Sequence, residues 1–228
     1  MHKLQSDLQL AIKKIARLPV HKMESESSPV ILRAPGVSQN VQEGTQPQGY
    51  TSPSLSFLQG SWHVTHSTLP MWKSKRNVKI TYTALAPSTP DASPDQTDRL
   101  DDVVSYQGLD SDKLHTVHGV DKASGGIGVT DVWDWRGKGW LMIASSHWEV
   151  LGWADKGADQ DSWVVTYFAK TLFTPAGIDF YSRRKEGLSE QTVQDIKAAL
   201  GRVENGDVRR LSSEVFEVKT DHSTQGDA

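Results

Sequence analysis

Phe57-Leu58-Gln59-Gly60-Ser61-Trp62 and Phe180-Tyr181-Ser182-Arg183 bracket the stretch of chain that decides the fold. Between them runs a ladder of short segments separated by turn signals, the pattern of an all-β sandwich or barrel. The segments are 60–68, 77–85, 101–107, 113–120, 127–136, 139–150, 162–170 and 177–184, eight in all. Several alternate, with Val78, Ile80 and Tyr82 opposed to Lys79, Thr81 and Thr83, and Asp131, Trp133 and Trp135 opposed to Val132, Asp134 and Arg136. Period two with one apolar face places a sheet over a core or a cavity. Short Gly-bearing links, Arg136-Gly137-Lys138-Gly139 and Asp121 to Gly126, predict consecutive antiparallel hairpins. Eight meandering strands leave two edges, and closure into a barrel removes both. The expected fold is therefore all-β, an eight-stranded antiparallel up-and-down barrel whose interior admits side chains or one small ligand.

Beyond the last strand, Ser189 as N-cap, Leu188 and Val193 as a hydrophobic staple and Gly201 as a stop predict a helix over 189–200. Leu211 to Lys219 reads as a further short strand or an extended packing segment. At the other end, residues 1–20 carry an amphipathic helical stripe through Leu4, Leu8, Ile12 and Ile15, ended by Pro19. That helix is a candidate contact for a protein partner, with mitochondrial targeting as an alternative reading. Residues 21–54 are rich in Ser, Pro, Gln and Gly and predict an irregular or disordered linker. The barrel with its helix then spans 55–219, and 220–228 is a disordered polar tail. Pro87, Pro90 and Pro94 turn 86–99 into a long loop.

In its opening Gly60-Ser61-Trp62 and its closing Phe180-Tyr181-Ser182-Arg183 with the following helix, the chain resembles the lipocalins and lipocalin-like proteins (calycins), nearest the bacterial group. The likeness covers about residues 55–203. It implies that Trp62 plugs the closed end of the barrel and that Arg183 packs across it, both as structural parts of a floor. Lipocalin-like proteins also occur in fungal natural-product biosynthesis, some of them as cofactor-free pericyclases. Departures from the pattern are the long 86–99 loop, the N-terminal extension and the absence of cysteine.

Composition narrows the function. The 228 residues have a formal net charge of −3 with both signs interspersed, which gives no electrostatic footprint for nucleic acid. No cysteine is present, so disulfides, thiolate nucleophiles and sulfur-ligated metals are excluded. Neither a membrane span nor a secretory signal is apparent, and a cytoplasmic setting is expected. His63/His66 and His115/His118 have a metal-like spacing, but residues three apart on a strand face opposite sides; no metal is expected. A haem would need an axial histidine that nothing marks, and no cofactor is expected. His147 and Glu149 share a strand face, read as the outer one, while Asp101-Asp102 and Asp131/Asp134 lack glycosidase spacing. No nucleophile elbow, phosphate loop or dinucleotide fingerprint occurs, and no catalytic residue is assigned.

Chemistry must then come from the cup. Eight tryptophans are present, of which Trp133, Trp135, Trp140, Trp148, Trp153 and Trp163 are clustered, and their flat walls suit a small apolar ligand. With Trp62 inward, His66 shares its face; Tyr82, Tyr106, His118, Trp133, Trp148 and Tyr167 complete the expected pocket lining. Three readings remain open: a carrier of a hydrophobic metabolite within secondary metabolism, a cofactor-free cyclase or isomerase acting on a polyene, polyketide or terpenoid in the same cup, and a solid barrel serving protein interaction.

Overall fold

The computed structural model describes residues 29–36, 47–93, 96–157 and 161–221. Most of the N-terminal helix and linker expected over 1–54, and nearly all of the terminal tail, lie outside these residues. A single turn of helix, α1 (Leu55–Leu58), is capped by Ser54 and leads into β1 (Gly60–Ser67). The meander continues as β2 (Lys75–Ala84), β3 (Arg99–Gly108), β4 (Ser111–Ala123), β5 (Val132–Gly137), β6 (Ser145–Ala154), β7 (Trp163–Phe168) and β8 (Gly177–Ser182). All neighbours are antiparallel, and β1 pairs with β2 along Gly60–His63 and with β8 along His63–Ser67, which closes the barrel. The fold is an eight-stranded up-and-down barrel followed by helices.

Two strands start later than their sequence suggests. Gly125, Gly126 and Gly128 all adopt positive φ and hold 124–131 as a loop, so β5 begins at Val132. A 3-10 turn over Gly139–Leu141 likewise delays β6 to Ser145.

The barrel has two apolar layers. Its inner one contains Trp62, Val64, Ile80, Tyr82, Leu100, Trp133, Trp148 and Tyr181. The outer one joins Leu151, Val165, Ile178 and Phe180 to helix α2 (Glu190–Leu200), which buries Val193, Ile196 and Leu200. β8 is sandwiched between them and is buried at every residue, which explains why Ile178-Asp179-Phe180-Tyr181 lacks a clean alternation. Ser189 caps α2 by accepting from the Thr192 amide at 3.2 Å. A further helix, α3 (Gly206–Ser212), is capped by Asn205 and buries Val208 and Leu211 against the same layer.

Both flanks of the barrel are pinned to it. Residues 29–36 form neither helix nor strand and are docked on the barrel. The Arg33 amide donates to the Leu151 carbonyl at 2.8 Å, and its fully buried guanidinium donates to Glu149 Oε2 at 2.6 Å and to the Asp131 carbonyl at 3.0 Å. Gly152 makes this docking possible, since a Cβ there would lie 2.3 Å from Leu32 Cδ2. At the other flank β2 departs from β1 beyond Lys79, and β9 (Phe216–Glu217) pairs with His66 and Ser67 on the edge so exposed. Asn77, at φ 54°, turns β2 away and donates its amide to the Lys219 carbonyl at 2.9 Å.

Candidate ligand-binding site

The barrel encloses a cavity of about 390 Å³, within the range of small-molecule sites, roughly 300–1,000 Å³. Its closed end is built by α1 and Trp62. The Trp62 indole donates to the Leu58 carbonyl at 2.9 Å, and the Arg183 guanidinium lies 3.5 Å from the indole centroid. Arg183 also donates to the carbonyls of Ser61 at 2.9 Å, Gln59 at 2.8 Å and Phe57, tying β8 to the chain entering β1.

The opposite end is open. There the 3-10 turn Pro70–Ser74 and the β5–β6 and β7–β8 links surround the mouth, and they expose Met71, Met142, Ile143, Leu172 and Phe173 to solvent. Leu172 is 96% exposed and Ile143 90%, so the rim is apolar where a soluble surface would be polar.

Aromatic rings line the walls. Tyr82 stacks on Trp148 at 5.7 Å, and Trp148 stacks on Trp133 at 5.9 Å, forming a column across three strands. Nearer the mouth, Trp72 meets Tyr106 edge-on at 6.2 Å, and Phe168 and Trp135 complete the wall. Gly119 is required under Trp135, because a Cβ there would lie 2.1 Å from the indole Nε1.

Three carboxyls face this interior. Asp179 accepts from Ser67 Oγ at 2.5 Å and Trp72 Nε1 at 3.2 Å, yet burial pushes its carboxyl up to about 7. Asp121 accepts from Trp148 Nε1 at 2.8 Å through one oxygen while its other oxygen has no partner; burial lifts it to about 7. Asp102, on the cavity wall, leaves Oδ1 without a partner, and burial followed by the charge of Asp121 raises it well above the carboxylate range. The buried Tyr82 and Tyr181 phenols are also raised well above 10 by burial.

Of the residues expected to line the pocket, Tyr82, Tyr106 and Trp148 do so. Trp133 is inside the barrel but behind Trp148, where its indole donates to the Thr130 carbonyl at 3.1 Å. His66, His118 and Tyr167 do not face the cavity. A bulge between Val64 and His66 reverses the parity of β1, so His66 packs on Phe180 of the outer layer at 5.7 Å and Ser67 turns inward instead. On β4 the inward set is Val117, Gly119, Asp121 and Ala123, which leaves His118 exposed. On β7 Phe168 holds the inward position, and Tyr167 packs outside with the α2 layer.

Asp102, weighed from the sequence only as half of an Asp101-Asp102 pair, and Asp121, Asp179 and Tyr181 were not expected at the pocket; for Asp102 a signal was present, since it shares parity with the apolar Leu100, Val104 and Tyr106. His147 and Glu149 stand on the outer face, where His147 contacts Asp134 at 2.8 Å and Glu149 at 3.5 Å.

These features define a closed barrel of lipocalin-like fold. Solved structures agree: crustacyanin C1 in its apo form matches at a TM-score of 0.53 and 12% identity, covering 86% of this chain and 91% of its own. H1 crustacyanin from the lobster Homarus americanus matches at 0.50 and 11% identity, with the same coverage of 86% and 91%. A biogenic amine-binding protein is a more distant likeness at 0.47 and 17% identity, covering 74% and 83%. At these identities the likeness concerns the fold. No family profile matches the chain, and no curated protein matches it in sequence.

Proposed function

We propose that this protein binds a small, largely hydrophobic molecule inside the barrel. The observation that carries the reading is the 390 Å³ cavity, closed at Trp62 and open through an apolar rim, with Tyr82, Trp148, Tyr106 and Trp72 as its walls. A flat bicyclic or tricyclic body would slide between these rings, and natural-product metabolites are rich in such shapes. Titration with N-phenyl-1-naphthylamine, an uncharged fluorophore, tests this. Saturable enhancement with quenching of tryptophan emission is expected, and Trp148→Ala should weaken it by about tenfold. A flat titration on folded protein would refute the reading.

A second reading, a cofactor-free cyclase or isomerase, draws support from Asp179. With its carboxyl near 7 on the cavity wall, it is a proton donor at neutral pH to a polyene or polyketide held alongside. Turnover separates the two: Asp179→Asn would slow product formation while leaving binding intact, and a carrier would form no product at all.

A further inference from the structure

We propose that the ligand is a cation: a protonated amine on a flat apolar body, its ammonium seated against Asp102 in the depth of the barrel. This rests on the cavity being a ligand site, and it names the class of ligand.

All charged chemistry inside the cup is acidic. The cavity-lining side chains include Asp102 and Asp179, and none of the described lining residues is a lysine, arginine or histidine. Around Asp102, β2 presents Tyr82 directly opposite and β4 presents Gly119 opposite, with Asp121 diagonally beyond. From β8 comes Tyr181. The nearest cations are engaged elsewhere: Lys138 pairs with Asp101 on the outer face, and the Lys75 ammonium lies 5.1 Å from the Tyr106 ring at the mouth. Among the described residues no cation pairs with Asp102.

Asp179 is accounted for by its two donors, whereas Asp102 Oδ1 and Asp121 Oδ2 are buried without partners. An orphaned buried polar atom costs about 1–3 kcal/mol, and apolar residues at these sites would make a more stable barrel. Such a defect is retained where a ligand repairs it. The missing partner is a donor, and a donor carrying positive charge removes the carboxyl's desolvation problem as well. An ammonium has three N–H groups and satisfies both demands, while the faces of Tyr82 and Trp148 supply cation–π contact on the way in. An anionic ligand would find no cation among the described lining residues.

A proton balance follows. Burial favours the protonated form of Asp102 in the empty barrel; when the ammonium arrives intact, that carboxyl gives its proton to buffer and an ion pair forms. Calorimetry of the full chain at pH 7 with three isosteres, 2-(1-naphthyl)ethylamine, 2-(1-naphthyl)ethanol and 1-naphthylacetate, tests the assignment. The amine is expected to bind at least about tenfold tighter than the alcohol, with naphthylacetate weakest. Its heat should vary with buffer ionisation enthalpy, and the alcohol's should not. Asp102→Asn should abolish the amine's advantage over the alcohol; the ranking and proton release in the parent protein do not depend on that variant folding. If the alcohol and N-phenyl-1-naphthylamine bind but the amine gains nothing over the alcohol, the cation assignment is wrong and the cup stands. If neither these two nor the amine bind, the cup itself is wrong.

Discussion

Replacing Arg33 with Met removes, among the described residues, the one buried cation that holds residues 29–36 on the barrel. Its guanidinium is fully buried and reaches Glu149 at 2.6 Å, Asp131 at 3.3 Å and the Tyr50 hydroxyl at 3.1 Å. Methionine leaves the Glu149 carboxylate against the Gly36 amide alone among uncharged donors, with half-buried His147 3.5 Å away. Breaking a buried ion pair from one side costs about 3–5 kcal/mol. The cost is capped by the alternative of lifting 29–36 off the sheet, which returns both carboxylates to water but exposes Leu32 and Leu151. Urea unfolding followed by tryptophan fluorescence should therefore show a loss approaching 3 kcal/mol, a fall in Tm of about 6–12 °C for a chain of this size. Glu149→Gln added to Arg33→Met should recover at least half, since it removes the stranded charge. The Glu149 carboxyl lies below its ordinary value in the fold, after burial is outweighed by His147, Arg33 and Gly36. The pair thus contributes stability above about pH 4.5, lost as pH falls through the lower folded value, and the gap between parent and variant should narrow in acid. A loss below about 1 kcal/mol at pH 7, without new protease cleavage near 29–36, would refute this account of the docking.

Further expectations concern the pocket, the floor and pH. Gly119→Ala must displace the Trp135 indole, so N-phenyl-1-naphthylamine affinity should fall and stability drop by about 1–3 kcal/mol, read by titration and urea melts. Arg183→Ala strips three carbonyls and the Trp62 face of their partner and should cost about 2–4 kcal/mol in the same melts; Arg183→Lys should recover little, for want of a planar fork. His147 is raised to about 8, first by Glu149 and then by Asp134 against the effect of burial. Its contribution is present below about pH 6.5 and disappears as pH climbs through 8, so stability should decline across that window and His147→Gln should flatten the profile.

Strand number, order and closure were legible because period two and turn residues are local signals, and the capped helix at Ser189 was legible for the same reason. The inward lists failed where geometry departs from strict alternation. His66 is displaced by one extra residue at a bulge, and nothing in Val64-Thr65-His66-Ser67 announces it. His118 was misplaced because β4 is mostly solvated on both faces in its first half, where parity carries no apolar signal. Asp102 was legible in parity, beside Leu100, Val104 and Tyr106, whereas Asp179 was not, because β8 is buried on both faces and carries no alternation. Arg33 had no signal at all: its partners stand 98 and 116 residues away in the chain.

The departure of β2 from β1 at Asn77 has a consequence for solubility. β9 covers the backbone of His66 and Ser67, and the Val218 amide donates to the Thr65 carbonyl at 2.8 Å. A version trimmed after α3 would keep all eight barrel strands yet bare this short length of β1 as an unpaired edge beside an opened seam. Such an edge recruits the same edge of another molecule. Trimming there should yield a protein that folds and then self-associates, growing turbid with concentration although every pocket residue is intact.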